Sequence, residues 1–131
     1  MTTDAVLKAA TDLVAAFGAH DTEAYFASFD ESATFLFYNF DRLLESRADY
    51  REVWAGWEAD GFAVRGCTSA NQSVQRLSET CAVFTHQVRT TLAGEDGDVI
   101  TGERETIVFQ LIDGRWLGVH EHLSADPTFT A

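Results

Sequence analysis

The chain reads as an α+β domain, with three helices in its N-terminal half packed on a strongly curved antiparallel sheet built by the remainder. Three observations predict this. Apolar residues recur at helical spacing only ahead of Gly61, and from Phe62 onward the chain consists of long segments rich in β-branched and aromatic residues. The turns joining those segments are so short that neighbours must run antiparallel.

Val6, Leu7, Ala10, Leu13, Val14 and Phe17 form the stripe of a first helix, with Thr2, Thr3 or Asp4 to cap its start and Gly18 near its stop. Asp21 is placed to cap a second, short helix from Thr22 to Phe29, whose Tyr25, Phe26 and Phe29 fall close together, and Asp30, Glu31 and Ser32 break it. Ala33 to Phe40 is β-prone on both faces and predicts a first strand covered on both sides, with Arg42 to Glu45 as a short partner. Ser46 caps a third helix, Arg47 to about Asp60, carrying Tyr50, Val53, Trp54 and Trp57. Strands follow at about Phe62 to Leu77, Thr80 to Leu92, Val99 to Ile112 and Arg115 to Leu123, the whole forming a cone of sheet around the helices.

The last two strands are joined by Asp113-Gly114, the strongest short hairpin signal a sequence offers, so their register can be written down. Ile112 faces Arg115, Leu111 meets Trp116, Phe109 meets Gly118, and with unbroken alternation Ile107 meets His120 and Glu105 meets His122. One face is then apolar at the turn and ionisable at its far end, which suits a pocket wall. On the opposite face, Arg104 and Glu121 become diagonal neighbours and a cross-strand ion pair.

With 131 residues, 1–131 make one domain that buries roughly two thirds of its unfolded surface and needs no staples. The 21 acidic residues against 9 basic ones give a formal charge of −12, which repels nucleic acid and anionic membranes alike, so neither is expected as a partner. Cys67 and Cys81 fall far apart across their hairpin, so reduced thiols and a cytoplasmic setting are expected. The N-terminal apolar stretch lacks a basic lead and is interrupted by Lys8 and Asp12, unlike a signal peptide or a membrane span.

The order helix, short helix, strand pair, helix and four long strands, closing with Asp113-Gly114-Arg115-Trp116-Leu117-Gly118-Val119-His120-Glu121-His122-Leu123-Ser124-Ala125-Asp126-Pro127, resembles the SnoaL-like branch of the cystatin-like, nuclear-transport-factor-like superfamily. The closing motif is most similar to the calcium/calmodulin-dependent kinase association domain and its bacterial relatives. The resemblance implies a cystatin-like cone and a homodimer formed through the outer face of the sheet, where Cys81, Val83, Thr85, Gln87, Arg89 and Thr91 alternate. It fixes no activity, since the scaffold hosts isomerases, cyclases, dehydratases, ligand carriers and assembly modules. Ketosteroid isomerases of this superfamily place a tyrosine in the first helix and an aspartate near the end of the first strand; those slots fall near Leu13 and Phe37, so that proton shuttle does not carry over. The arginine-lined pocket of the association domain has no equivalent cluster here.

A four-residue turn from Gly94 to Gly97 sets Ala93 against Asp98, and counting back sets His86 against Glu105. His86, Glu105 and His122 then form a row across three strands about 4.8 Å apart. They are the candidate catalytic residues, with Glu105 fixing the tautomer of a proton-handling histidine. The same row reads alternatively as a buried polar network or, with His86, Glu105 and His122 as ligands, as a metal site, although its spacing does not favour metal and no cofactor is expected. The candidate substrate-binding residues are Tyr25, Phe37, Trp54, Trp57, Phe84, Phe109 and His120, with Phe29 and Phe35 as further aromatics; together they surround an apolar pocket or simply fill the cone. Two functions remain open. One is a dimer that holds a small, apolar or partly polar molecule, with acid/base turnover of isomerase, cyclase or hydratase type; the other is a non-catalytic homodimerisation module.

Overall fold

The computed structural model describes residues 2–130. Helix α1 (Thr2–Gly18) is followed by α2 (Thr22–Ala27), strand β1 (Phe29–Phe37), α3 (Arg47–Ala59) and four strands, β2 (Val64–Arg76), β3 (Cys81–Leu92), β4 (Val99–Ile112) and β5 (Arg115–Ala125). Three helices therefore pack on a five-stranded sheet of order β1-β5-β4-β3-β2. The pairs β2/β3, β3/β4 and β4/β5 are antiparallel, while β1 joins the edge parallel to β5. Both residues of the Asp113-Gly114 turn have positive φ (49° and 79°), as a tight hairpin of this kind requires.

Local chemistry explains most element ends. The side chain of Asp21 accepts from the Ala24 amide at 3.1 Å, and that of Ser46 accepts from the Asp49 amide at 3.0 Å, so both expected caps are in place. Helix α1 already includes Thr2, Thr3 and Asp4, and Asp4 sits in its first turn, where a carboxylate favours the helix dipole. Val6, Ala10 and Leu13 are buried, and a Cβ at Gly18 would lie 3.1 Å from Cys67, so the end of α1 rests directly on β2. His20, in the left-handed region at φ 52°, clamps this corner. Its Nδ1 accepts from the Val64 amide at 2.9 Å, and its Nε2 lies 2.7 Å from Glu58 of α3.

Several expectations are corrected. Helix α2 stops at Ala27 and β1 begins at Phe29, because Phe29 is fully buried and its carbonyl accepts from Arg47 Nη1 at 2.8 Å. Strand β1 is not covered on both sides: Ala33, Phe35 and Phe37 point to the core, while Leu36 is 39 % exposed. The segment Arg42 to Glu45 contributes a single bridge, Leu44 opposite Phe35.

The largest correction lies in β5. Phe109 faces Gly118 as expected, but Val108 then faces His120, so Val119 is an extra residue and every side chain beyond it changes face. Ile107 meets Glu121, Thr106 meets His122 and Glu105 meets Leu123. The expected pairings of Ile107 with His120 and of Glu105 with His122 are thus replaced. Arg104 stands opposite Ser124 on the outer face and makes no pair with Glu121, which is 2 % exposed on the inner one. The space beside Gly118 is filled by the ring of Phe29: an added Cβ would lie 2.7 Å from its Cδ1. Substituting Gly118→Ala is therefore expected to lower stability by about 1–3 kcal/mol in urea or thermal unfolding, since the buried Phe29 ring has nowhere to retreat.

Candidate functional site

The open space of the cone is a cavity of about 130 Å³ between the helices and the inner face of the sheet. Helix α1 supplies Leu13 and Phe17 to its wall, α2 Tyr25, and α3 Tyr50, Trp54 and Trp57. The end of β1 adds Phe37 and Tyr38, the loop after α3 adds Phe62, and the sheet adds Val88, Thr90, Glu103, Glu105, Glu121 and Leu123. Of the candidate binding residues, Tyr25, Phe37, Trp54 and Trp57 line this cavity. Phe84 and Phe109 do not: both are fully buried, with ring centroids 6.4 Å apart, and belong to the packed core, as do Phe29 and Phe35. His120 is on the outer face, where its Nδ1 lies 2.8 Å from the Thr34 hydroxyl.

His86 and Glu105 meet as the register requires, Nε2 to Oε1 at 2.7 Å. His122 is not with them, because the bulge at Val119 turns it outward. A metal set of His86, Glu105 and His122 is therefore not assembled. Leu123 stands opposite Glu105 instead, and the ionisable neighbour on β5 is the diagonal Glu121, whose carboxyl is hydrogen-bonded to that of Glu105. Two further residues extend the chain beyond Glu121: Tyr25 donates to its Oε1 at 3.1 Å, and the Tyr50 hydroxyl lies 3.0 Å from that of Tyr25. With Tyr25 committed as donor to Glu121, Tyr50 donates to Tyr25. At the other end the Ser69 hydroxyl lies 2.6 Å from His86 Nδ1 and itself accepts from Gln72.

Burial sets the charges of this network. It pushes the Glu121 carboxyl well above its ordinary range, and the neighbouring charge of Glu105 pushes the same way. Glu105 is also raised by burial, but the hydrogen bond from Glu121 opposes that and keeps the negative charge on Glu105. Two carboxyls in contact in an apolar interior cannot both ionise, so at neutral pH the pair holds one proton, on Glu121. Burial also drives His86 down to about 4. The ring is therefore neutral, with its one proton on Nε2 facing Glu105 and Nδ1 accepting from Ser69. Burial raises the phenols of Tyr25 and Tyr50 well above their usual value, so both remain donors.

A third carboxyl, Glu103, sits one step along β4 on the same face, 7 % exposed. It accepts from Tyr38 at 2.9 Å and from Thr101 at 3.5 Å, and burial raises its pKa against those two bonds. Sequence reasoning missed Glu103, Glu121 and the hydroxyl of Tyr50. The available signal was Gly118, since a glycine inside a strand marks a bulge and a bulge reverses the alternation beyond it.

No curated protein matches the chain significantly in sequence. Among solved structures the fold is similar to a ketosteroid isomerase-like protein from Erwinia carotovora atroseptica (14 % identity, TM-score 0.81, covering 93 % of this chain and 94 % of that one). It is also similar to a candidate scytalone dehydratase from Novosphingobium aromaticivorans (21 %, 0.80, 95 % and 83 %). A candidate calcium/calmodulin-dependent protein kinase II association domain from Xanthomonas campestris shares the fold as well (19 %, 0.74, 89 % and 82 %). At such identities the likeness is one of fold, nuclear-transport-factor-like and cystatin-like. The SnoaL-like domain model matches residues 6–127, nearly the whole of the sequence, and the chain belongs to the SnoaL-like domain family.

Proposed function

We propose that the chain binds a compact, largely apolar molecule in the cone and works on it by acid/base chemistry of isomerase, cyclase or hydratase type. The observation that carries this reading is the Glu105/Glu121 pair, two buried carboxyls in contact on the wall of a cavity rich in aromatic and aliphatic side chains, one ionised and one protonated. Environments that push two acids apart in this way assign a base and an acid. A carbonyl compound seated against them loses a proton from its α carbon to the Glu105 carboxylate while Glu121 delivers its own to the oxygen. Glu105 then returns the first proton at another carbon of the enol while the enol oxygen hands its proton back to Glu121, which restores both groups. His86 is the positioning residue, its Nε2 proton holding Glu105 in place, and Tyr25 holds Glu121. A volume of about 130 Å³ is of the order that admits a single six-membered ring.

The second reading, pairing of two copies through the outer face of the sheet, is supported by the 39 % exposure of Leu36 there. Light scattering at micromolar concentration is expected to give a dimer; a monomer would remove this reading and leave the cavity untouched. Among the described residues no helix is long and apolar enough to cross a membrane.

A thermal-shift and calorimetric screen of ring-sized ketones and hydroxy compounds is expected to yield ligands that raise Tm. For a ketone so found, proton exchange into deuterated water at its α carbon should be catalysed by the protein and fall by about 10²-fold or more in Glu105→Gln. Exchange that is equal in the two proteins would discard the acid/base mechanism, and a screen with no hits would discard the binding site.

The protonation of Glu121 has its own test. Its folded pKa lies above the ordinary 4.5, so the stability it contributes is complete below that value and is lost as the pH rises toward the folded pKa. Glu121→Gln keeps the donor and the shape but cannot ionise. It is expected to melt above the parent protein by a margin that widens between about pH 5 and pH 8. A margin that stays constant over that window would contradict a protonated Glu121.

A further inference from the structure

We propose that the molecule taken up by this cavity carries a protonated amine, received by Glu103, with its apolar body against Tyr50, Trp54, Trp57 and Phe62. The inference rests on the cavity being the binding site, as argued above, and three separate features converge on it.

The first is the sign of the wall. Among the described residues that line the cavity there are three carboxyls, Glu103, Glu105 and Glu121, and no lysine or arginine. Arg65 and Arg89 are engaged elsewhere, with Asp98 at 3.8 Å and Asp126 at 3.0 Å. A carboxylate or phosphate entering this space meets only like charge in a medium that screens it poorly.

The second is the state of Glu103. It lies two residues from Glu105 on one face of β4, about 7 Å along the strand. It is not part of the proton-sharing pair, and its partners, the hydroxyls of Tyr38 and Thr101, are both neutral. A buried carboxylate without a cation is costly, and a positive group beside it is the most direct compensation. Tyr38 is 52 % exposed, so its phenol has room to turn away and yield one oxygen to a charge-assisted donor.

The third is the opposite wall. The Tyr50 and Trp57 rings have centroids 6.1 Å apart, those of Trp57 and Phe62 5.6 Å, and those of Trp54 and Phe62 5.1 Å. A continuous aromatic surface of this kind attracts an organic cation through its π faces and accommodates the hydrocarbon attached to it.

The test uses three probes of one shape, benzylamine, benzyl alcohol and benzoate, titrated calorimetrically into the full chain at neutral pH. Benzylamine is expected to bind about tenfold or more tightly than the alcohol, and benzoate not to bind. Glu103→Gln should bring the amine down to the level of the alcohol and leave the alcohol unchanged. Tyr38→Phe, which frees one oxygen of Glu103, should strengthen amine binding several-fold, so the idea stays testable should the first variant fold poorly. Alcohol binding as tight as amine binding, or an amine preference that survives Glu103→Gln, overturns the proposal and leaves the reading of the cavity intact. Failure of this series together with failure of the neutral ketones overturns both.

Discussion

The site depends on one extra residue in one strand. Val119 interrupts the pairing of β5 with β4, and from that point Glu121 faces the interior while His120 and His122 face outward. Gly118 makes this possible by leaving room for the buried ring of Phe29, and its amide donates to the Ser28 carbonyl at 2.9 Å. The same step fixes how β1 lies along β5, since its partners run from Thr34 opposite His120 to Phe37 opposite Leu123. A β5 without the bulge would set His120 where Glu121 now stands and His122 where Leu123 now stands.

Once Glu121 is inside, electrostatics dictates its company. A carboxyl in an apolar interior must be neutral, paired or richly hydrogen-bonded. Here all three devices occur in one chain of contacts. Glu121 keeps its proton, Glu105 keeps the charge and accepts a hydrogen bond from His86 Nε2, and Tyr25 and Tyr50 donate in sequence from the helices. Among the described residues no buried side-chain nitrogen or oxygen lacks a hydrogen-bond partner. The network also joins the two layers of the fold, for its two phenols come from α2 and α3 and its two carboxyls from β4 and β5.

The aromatic shell serves packing and chemistry together. Tyr50 packs at a tilt against Phe35, with centroids 4.5 Å apart, and edge-on against Phe37 at 5.1 Å, locking α3 to β1, and presents its hydroxyl to Tyr25. The wall these rings form helps bury the carboxyl pair, which raises both acids, and the hydrogen bond between the two separates them in protonation. Leu13 and Phe37 are part of the apolar wall. The proposed chemistry is thus carried by the central strands, and the helices contribute shape and donors.

The sequence by itself determined what is local. Helical stripes placed α1 and α3, the side chains of Asp21 and Ser46 marked two helix starts, and Asp113-Gly114 fixed a hairpin whose residues adopt the positive φ that such a turn demands. Counting from the turn between β3 and β4 was enough to set His86 against Glu105, because that ladder runs without a shift from Leu92 to Cys81. Only the tertiary structure decided what lies beyond an irregularity or across a layer. The face of Glu121 depends on a bulge that accommodates a phenylalanine from another strand. The reach of Ser69 to His86 goes with the register shift of β2 between Ala70 and Ser73, and the pairing of β1 with β5 joins segments more than 80 residues apart. The physical reason is that strand alternation carries register only while the ladder is regular. A break in it is selected by how distant side chains pack, which no local pattern records.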